Sequence, residues 1–198
     1  MKSYSKLPDG YFEIYSVDLQ KNKKVALFVN LLAIFIAVAL AIPAAVLVPI
    51  SKTIDYSFGI GNLLLKFAVA GVLTVLYMVL HELVHGAAMK ICGTKKIKYG
   101  FTGMYAFAGS DDYYDKRAYI FIALAPVVLW GAVLAVVNVF IPPEWFWVVY
   151  FIQINNISGA AGDFFVTVKF SRMPKDILVQ DYGVGMTVYS KDCGKENA

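Results

Sequence analysis

Charge, cysteine and histidine are all scarce in this chain of 198 residues, and each scarcity narrows the class of protein. Only 16% of the residues are charged while 59% are hydrophobic, which excludes an ordinary soluble domain. The two cysteines form no disulfide framework. The net charge of +4 comes from basic residues beside apolar blocks, which is typical of cytoplasmic loops and not of nucleic-acid binding. We therefore expect a single integral membrane domain over residues 1–198.

In place of charge, the chain has long apolar blocks. They cover residues 25–48, 63–91, 118–141 and 145–168. About 20 helical residues cross the hydrocarbon core of a bilayer, so each block is long enough to span it. The sequence predicts an all-α membrane protein with four transmembrane helices. It also predicts an irregular or extended loop, on the cytoplasmic side, between the second and third helices.

Lysine and arginine indicate the orientation of these blocks. The basic residues are concentrated in the tail 1–24, in the connection between the second and third blocks, and in the tail 169–198; Lys52 and Lys66 are the exceptions. The positive-inside rule then predicts a multi-pass protein of the cell membrane with both termini in the cytoplasm. Because a polar tail precedes the first block and no cleavage site follows a short apolar core, we expect no cleavable signal peptide.

Both histidines of the chain belong to one pattern, His81-Glu82-Leu83-Val84-His85, near the end of the second block. Residues i and i+4 of a helix share a face, so two imidazoles can reach one Zn²⁺ ion with the glutamate beside them as base. Ionisable groups in an apolar helix are costly and mark functional sites. We predict His81 and His85 as zinc ligands and Glu82 as a catalytic residue. The alternative is a pair of histidines that only pack helices.

A catalytic zinc site takes three protein ligands, and no further histidine exists. Apart from Glu82, Asp163 is the one acidic residue inside an apolar block. His81 and Asp163 follow the outer starts of their blocks by the same number of positions, so both lie at one depth toward the cytoplasmic face. Asp163 is therefore the predicted third ligand. A salt bridge from Asp163 to a nearby lysine is the alternative, and Cys92 is a weaker candidate ligand.

Two asparagines, Asn155 and Asn156, precede Asp163 by about two helical turns. Either amide can donate to a substrate carbonyl or to the oxyanion that forms in a hydrolytic transition state. On an ideal helix Asn156 is nearly in line with Asp163, and Asn155 lies about 80° away. We predict a catalytic role for one of them and leave open which. Hydrogen bonding between helices without chemistry is the alternative.

These residues together resemble the site-2 protease class of intramembrane zinc metalloproteases. That class carries H-E-x-x-H on one membrane helix and N-x-x-P-x-x-x-L-D-G on a later one. Here Asn155 and Asp163 match the second motif in identity, whereas Ser158, Gly162 and Phe164 occupy its P, L and G positions.

The chain is more similar to a smaller bacterial family of zincin peptidases related to that class. The similarity covers most of the chain, including Ala123-Leu124-Ala125-Pro126 and Asp181-Tyr182-Gly183-Val184-Gly185. It implies a zinc metalloendopeptidase with Glu82 as the catalytic acid and base. The implied metal ligands are His81, His85 and Asp163.

The expected function is intramembrane proteolysis near the cytoplasmic face. The expected partners are the lipid bilayer and a transmembrane protein or peptide substrate. A second copy of the chain and a regulatory membrane protein stay open as further partners. The alternative function is a zinc-binding membrane scaffold or regulator without proteolysis. A small transporter subunit is disfavoured because the sequence shows no wide polar path.

Overall fold

The computed structural model describes residues 1–191 apart from 19, 55–58, 104–105 and 184. It divides into two compact units. The first comprises Met1–Phe28, Glu82–Ala125 and Asp163–Ala198, of which residues 192–198 lie outside the described part. The second comprises Val29–His81 and Pro126–Gly162.

The described residues are mostly helical. The helices are α1 (Lys23–Leu47), α2 (Gly59–Ile91), α3 (Lys116–Phe140), α4 (Phe146–Gly159) and α5 (Ala161–Ser171). Within the described residues, α1, α2 and α3 are long and apolar enough to cross a membrane. Large apolar side chains such as Phe35 and Phe140 are exposed on them, which is compatible with contact with lipid. The helices predicted from the first three apolar blocks are thus confirmed.

The fourth apolar block differs from the continuous helix predicted over 145–168. It forms α4 and α5, which are 14 and 11 residues long and are separated at Ala160. Ala160 leaves the helical conformation with φ −81° and ψ 15°. Ser158 and Gly159, which precede it, are poorer helix formers than alanine or leucine, and this weakens the ladder at that point. Neither α4 nor α5 alone reaches the length needed to span a bilayer.

The all-α prediction is incomplete, because stretches read as polar tails and loop form strands. The strands are β1 (Ser3–Tyr4), β2 (Phe12–Asp18), β3 (Lys98–Phe101), β4 (Ala106–Gly109), β5 (Tyr113–Asp115), β6 (Leu178–Asp181) and β7 (Gly185–Ser190). Five of them make an antiparallel sheet in the order β1-β5-β6-β7-β2. The other two, β3 and β4, pair in an antiparallel hairpin between α2 and α3. In the five-stranded sheet, the pairs β1–β5, β5–β6 and β2–β7 join strands that lie far apart in sequence, so no local pattern predicts these pairings.

The core of the first unit packs this sheet against helical segments. Tyr114, Val179 and Val188 of the sheet are fully buried together with Met89 of α2 and Ile122 of α3. The Tyr114 hydroxyl lies 2.7 Å from Thr94 Oγ1 and 2.6 Å from Ser110 Oγ. The residues between α2 and α3 are thereby fixed to the sheet.

The second unit satisfies a buried charge within its apolar helices. Lys66 of α2 is only 3% exposed, and its ammonium donates to the Thr53 carbonyl at 2.8 Å. It also lies 5.8 Å from the centre of the Trp145 ring, a cation–π distance. Lys66, an exception to the charge pattern that predicts the orientation, is therefore a structural lysine.

Candidate metal centre

Helix α2 presents both histidines on one face, because His81 and His85 are separated by one turn. The ligand atoms of His81, His85 and Asp163 all lie within 4.8 Å of one another, and each of the three residues is partly buried. The three residues predicted as metal ligands are therefore brought together.

His85 is held on both sides of its ring. Nδ1 lies 2.9 Å from the carbonyl oxygen of Ile122, a buried residue of α3. Nε2 lies 3.8 Å from Asp163 Oδ1. A carbonyl oxygen only accepts hydrogen bonds, so Nδ1 is the donor and Nε2 is the nitrogen directed toward the carboxylate.

His81 is linked through its Nδ1 to a buried polar chain. The hydroxyl of Tyr77, one turn earlier on α2, lies 2.7 Å from His81 Nδ1. The same hydroxyl donates to Asn156 Oδ1 at 2.9 Å, and Asn156 Nδ2 donates to the Val127 carbonyl at 3.2 Å. Asn156 is fully buried, so its bonds to Tyr77 and to the Val127 carbonyl are sheltered from water.

Asp163 lies in the first turn of α5, directly after the break at Ala160. The N-terminal end of a helix carries a partial positive charge, which favours a carboxylate there. The break therefore gives Asp163 a helix start instead of a mid-helix position.

Glu82 follows His81 in sequence and lies partly buried on α2. Its carboxylate accepts a hydrogen bond from the backbone N–H of Ala108 in β4. The β3–β4 hairpin thus contacts the predicted catalytic residue directly. Tyr99 of β3 adds a second contact, because its hydroxyl lies against Gly86 of α2.

The two asparagines have different surroundings. Asn155 Nδ2 donates to the Phe151 carbonyl at 2.8 Å, one turn back on α4, and this bond lies in an exposed region. Asn156 is buried, and its amide oxygen and nitrogen both have partners, Tyr77 and Val127. The structure thus joins Asn156 to His81 through a tyrosine and leaves Asn155 partly exposed.

A further carboxyl group lies in the first unit at the end of β6. Asp181 accepts hydrogen bonds from the Tyr119 hydroxyl at 2.7 Å and from the Gly183 N–H at 2.8 Å. Burial raises the pKa of the Asp181 carboxyl, although both hydrogen bonds act in the opposite direction. The negative charge of Asp163 also raises this pKa, and His85 lowers it.

Two imidazoles and one carboxylate are a donor set that suits zinc. Zinc binds nitrogen and oxygen ligands at about 2.0–2.2 Å, so two ligands of one ion lie at most about 4.4 Å apart. The 3.8 Å between His85 Nε2 and Asp163 Oδ1 is within that limit. Both histidines also have hydrogen-bond partners on Nδ1, as metal-bound histidines generally do. The donor set and the separation of His85 and Asp163 therefore fit a zinc ion.

Sequence reasoning missed several groups that surround these residues. Tyr77 lies one turn before His81 on the same face of α2, and this spacing was the one signal that could have found it. The Ala108 N–H and the Ile122 carbonyl are backbone groups that carry no side-chain signal at all. Asp181 was named only as part of a similar segment, because the strand that positions it was not predicted.

Comparison with known proteins identifies a matching protein family. Residues 74–178, more than half of the chain, match the family described as "Putative zincin peptidase". The chain is also 27% identical, over 117 residues, to a Pyrococcus woesei protein described as "Uncharacterized 24.7 kDa protein in gap 5'region". That alignment covers 57% of this chain and 50% of the Pyrococcus protein, so the chain spans half the length of this relative. No solved structure matches the chain.

Proposed function

Since the chain belongs to the family described as "Putative zincin peptidase", we propose that it is a zinc metalloendopeptidase that cleaves membrane-embedded proteins or peptides near the cytoplasmic face. The family description itself suggests a zinc metallopeptidase. The intramembrane activity, similar to that of site-2 proteases, is the finer part of the proposal. It is supported by one observation: Asp163 of α5 converges with His81 and His85, which flank Glu82 on the apolar helix α2.

The proposed chemistry divides between the ion and the protein. Zinc, when bound by the two histidines and Asp163, supplies a Lewis acid and lowers the pKa of bound water. Glu82 accepts a proton from the attacking water and delivers it to the leaving amine. Water thus adds its hydroxyl to the carbonyl carbon and its hydrogen to the nitrogen as the C–N bond breaks. The hydrogen bond from the Ala108 N–H orients the Glu82 carboxylate for this transfer.

An asparagine amide is the proposed donor to the substrate carbonyl. The accessible position of Asn155 favours it over Asn156, whose amide is buried between Tyr77 and the Val127 carbonyl. An asparagine amide nitrogen carries two hydrogens, and the bond to the Phe151 carbonyl uses one. The second hydrogen of Asn155 can therefore serve a substrate oxygen.

The β3–β4 hairpin is the proposed contact for an extended substrate. A peptide bond in a transmembrane helix is internally hydrogen-bonded, so the substrate has to unwind before it is cleaved. An extended peptide can pair with a strand edge, and β4 already contacts Glu82 through Ala108. Cross-linking from Phe107 of β4 should capture substrate; capture only from α1 would contradict this contact.

The proposed location is the cell membrane, with both termini in the cytoplasm. The sheet supports this, because it joins the N-terminal strands β1 and β2, strand β5 before α3, and the C-terminal strands β6 and β7. One hydrogen-bonded sheet cannot be divided by a bilayer, so these regions share a side. The pair α1–α2 leaves that side and returns. After α3 has left it, α4 and α5 together have to return the chain. The basic residues of these regions favour the cytoplasm.

Zinc analysis of the purified protein in detergent tests the proposal. We expect about one zinc per chain in the wild type, and loss of zinc in His85→Ala and in Asp163→Ala, because each variant leaves two ligands. Elemental analysis after gel filtration measures the content. Tyr150→Phe is a matched control, since its hydroxyl bonds the Leu40 carbonyl away from the three ligands.

Two outcomes of that measurement would contradict the proposal in different ways. A folded wild type that takes up no zinc after reconstitution would refute the metallopeptidase. Loss of zinc in His85→Ala but not in Asp163→Ala would keep a metal site and refute Asp163 as its ligand.

A further inference from the structure

We propose that Pro126 and the pair formed by Tyr77 and Asn156 are positioning residues that set the tautomers of the two histidines. Pro126 acts on His85, and the pair acts on His81. In each case the neutral ring keeps its proton on Nδ1 and coordinates metal through Nε2. The metal-binding part of this inference rests on the proposed function.

Pro126 acts by making a backbone carbonyl available. In an α-helix the N–H of residue i bonds to the carbonyl of residue i−4, and proline has no N–H. Pro126 lies inside α3, so the Ile122 carbonyl lacks its ordinary helical donor. That carbonyl is the one that lies 2.9 Å from His85 Nδ1. The proline therefore creates the acceptor that holds the proton of His85 on Nδ1.

The chain at His81 has one consistent direction of donation. The Val127 carbonyl can only accept, so Asn156 directs its NH₂ group there and its Oδ1 toward Tyr77. Tyr77 has a single hydroxyl proton, which it donates to Asn156 Oδ1. The Tyr77 oxygen then accepts at 2.7 Å from His81, and Nδ1 has to carry the hydrogen.

Burial of the hydrogen-bond partners favours these tautomer assignments. Asn156 is fully buried, and Tyr77 and Ile122 are 8% and 2% exposed, so water has little access to the groups that bond to the two rings. A buried polar group without its partner costs about 1–3 kcal/mol, so reversing the chain is unfavourable. In a metal-binding histidine, the hydrogen-bond partner of the nitrogen that does not bind the metal decides which nitrogen is protonated. The two acceptor carbonyls, those of Ile122 and Val127, belong to α3, whereas the H-E-x-x-H motif lies on α2.

Nitrogen NMR of the histidine rings tests the tautomers without any metal. The chain has only two histidines, so ¹⁵N-histidine labelling of the full-length, metal-free protein in detergent gives two ring systems. At a pH where both rings are neutral, we expect both in the Nδ1–H form. Tyr77→Phe should shift His81 toward the Nε2–H form and leave His85 unchanged. Pro126→Ala should shift His85 and leave His81 unchanged.

Matched controls exist for both substitutions. Tyr150→Phe also removes a hydrogen-bonded tyrosine hydroxyl, in this case one that donates to a backbone carbonyl. Pro43→Ala also restores an N–H inside an apolar helix. Neither should change the ring spectra. A wild type with either ring in the Nε2–H form would overturn the proposal, as would unchanged tautomers in both test variants.

Zinc affinity, measured by competition with a chelator, gives a second readout. Loss of such outer partners typically weakens metal binding about 10–100-fold, and we expect this for both test variants but not for the controls. Pro126→Ala should nevertheless be no less stable without metal, because it removes a helix-breaking residue. Unchanged affinity in both variants would overturn the metal-binding part. A wild type with both Nδ1–H rings but no zinc binding would refute the proposed function and support the tautomer assignment.

Discussion

Substitution of Glu82 distinguishes the proposed proteolytic function from the non-proteolytic alternative. It adjoins His81 in sequence, yet the group whose ligand atoms converge comprises the two histidines and Asp163. A residue beside a metal can be dispensable for binding and essential for proton transfer. This division of roles makes its substitution informative.

We expect Glu82→Gln to keep zinc and to lose hydrolysis. The amide has nearly the shape of the carboxylate but cannot take the water proton, and general acid–base catalysis contributes about 10²–10⁴ in rate. Zinc content and cleavage of a transmembrane reporter peptide in proteoliposomes measure the two properties. Cleavage at the wild-type rate would contradict the role of Glu82. If neither the wild type nor Glu82→Gln cleaves the peptide and both retain a binding partner, the alternative function of a zinc-binding scaffold is favoured.

At the residue scale, scarcity explains what the sequence could predict. With two histidines and few acidic residues in apolar blocks, His81, His85 and Asp163 were the leading candidate ligands, and the structure brings them together. Tyr77 was not predicted because a tyrosine in an apolar helix can have many roles, and its bond to Asn156 joins residues far apart in sequence. Pro126 was noticed only as part of a motif, since its effect on the Ile122 carbonyl needs the position of His85.

Among the elements, the β3–β4 hairpin contacts α2 at a glycine. A Cβ at Gly86 would overlap the Tyr99 hydroxyl, whereas a Cβ at Gly71 of the same helix meets nothing within 4 Å. The absent side chain at Gly86 therefore makes room for the hairpin. Gly71 offers a matched position without that contact.

We expect Gly71→Ala to stabilise the protein and Gly86→Ala not to do so. Alanine is favoured over glycine in a helix by up to about 1 kcal/mol, and at Gly86 the displaced Tyr99 ring offsets that gain. Chemical unfolding in detergent measures stability, and limited proteolysis reports whether the hairpin loosens. Equal gains from both substitutions, with an unchanged hairpin, would show that the Tyr99 contact is unimportant.

The hydroxyl group of Tyr114 gives the sheet a pH-dependent contribution. Burial raises the pKa of Tyr114, while its hydrogen bonds to Ser110 and Thr94 act in the opposite direction. The native state therefore keeps this proton above the ordinary tyrosine pKa of about 10, where the unfolded chain loses it. The stability contributed by the neutral hydroxyl is complete below that pH and falls as the pH rises through it.

We expect Tyr114→Phe to destabilise the protein by about 1–3 kcal/mol near neutral pH, because two buried hydroxyls lose their common partner. The difference from the wild type should narrow above about pH 10, where the wild type begins to lose its contribution. Unfolding curves of both proteins at several pH values measure this difference. A difference that widens at high pH would contradict the raised pKa.

At the element scale, prediction succeeded where the signal was local. The first three apolar blocks are confirmed as helices α1, α2 and α3, since length and composition decide them. The break at Ala160 was missed because two short apolar helices in series have the composition of one long helix. Strands such as β2 and β7 were missed because their pairing is not local. Ser16 of β2 pairs with Thr187 of β7, which is 171 positions away.

For the whole molecule, the family is established while the membrane arrangement is a proposal. In that proposal β1, β2, β5, β6 and β7 lie on one side of the membrane, because they belong to one sheet. We expect thiol-reactive labels that do not cross membranes to reach single cysteines at Lys6, Lys95 and Lys175 from the same side, in cysteine-free protein. Inside-out vesicles should label all three and right-side-out vesicles none. Labelling of Lys175 from the opposite side to Lys6 would contradict the arrangement.

The same sheet has a consequence for how the protein is made. Strand β2 leaves the ribosome before α1, and its partner β7 follows after the remaining helices. At about 5–20 residues per second, Ser16 waits on the order of 10–30 s for Thr187, which is 171 positions later. Until then the backbone of β2 offers unpaired hydrogen-bonding groups to other chains. A chaperone or the ribosome surface that covers residues 12–18 during this interval would decide how much newly made protein escapes aggregation.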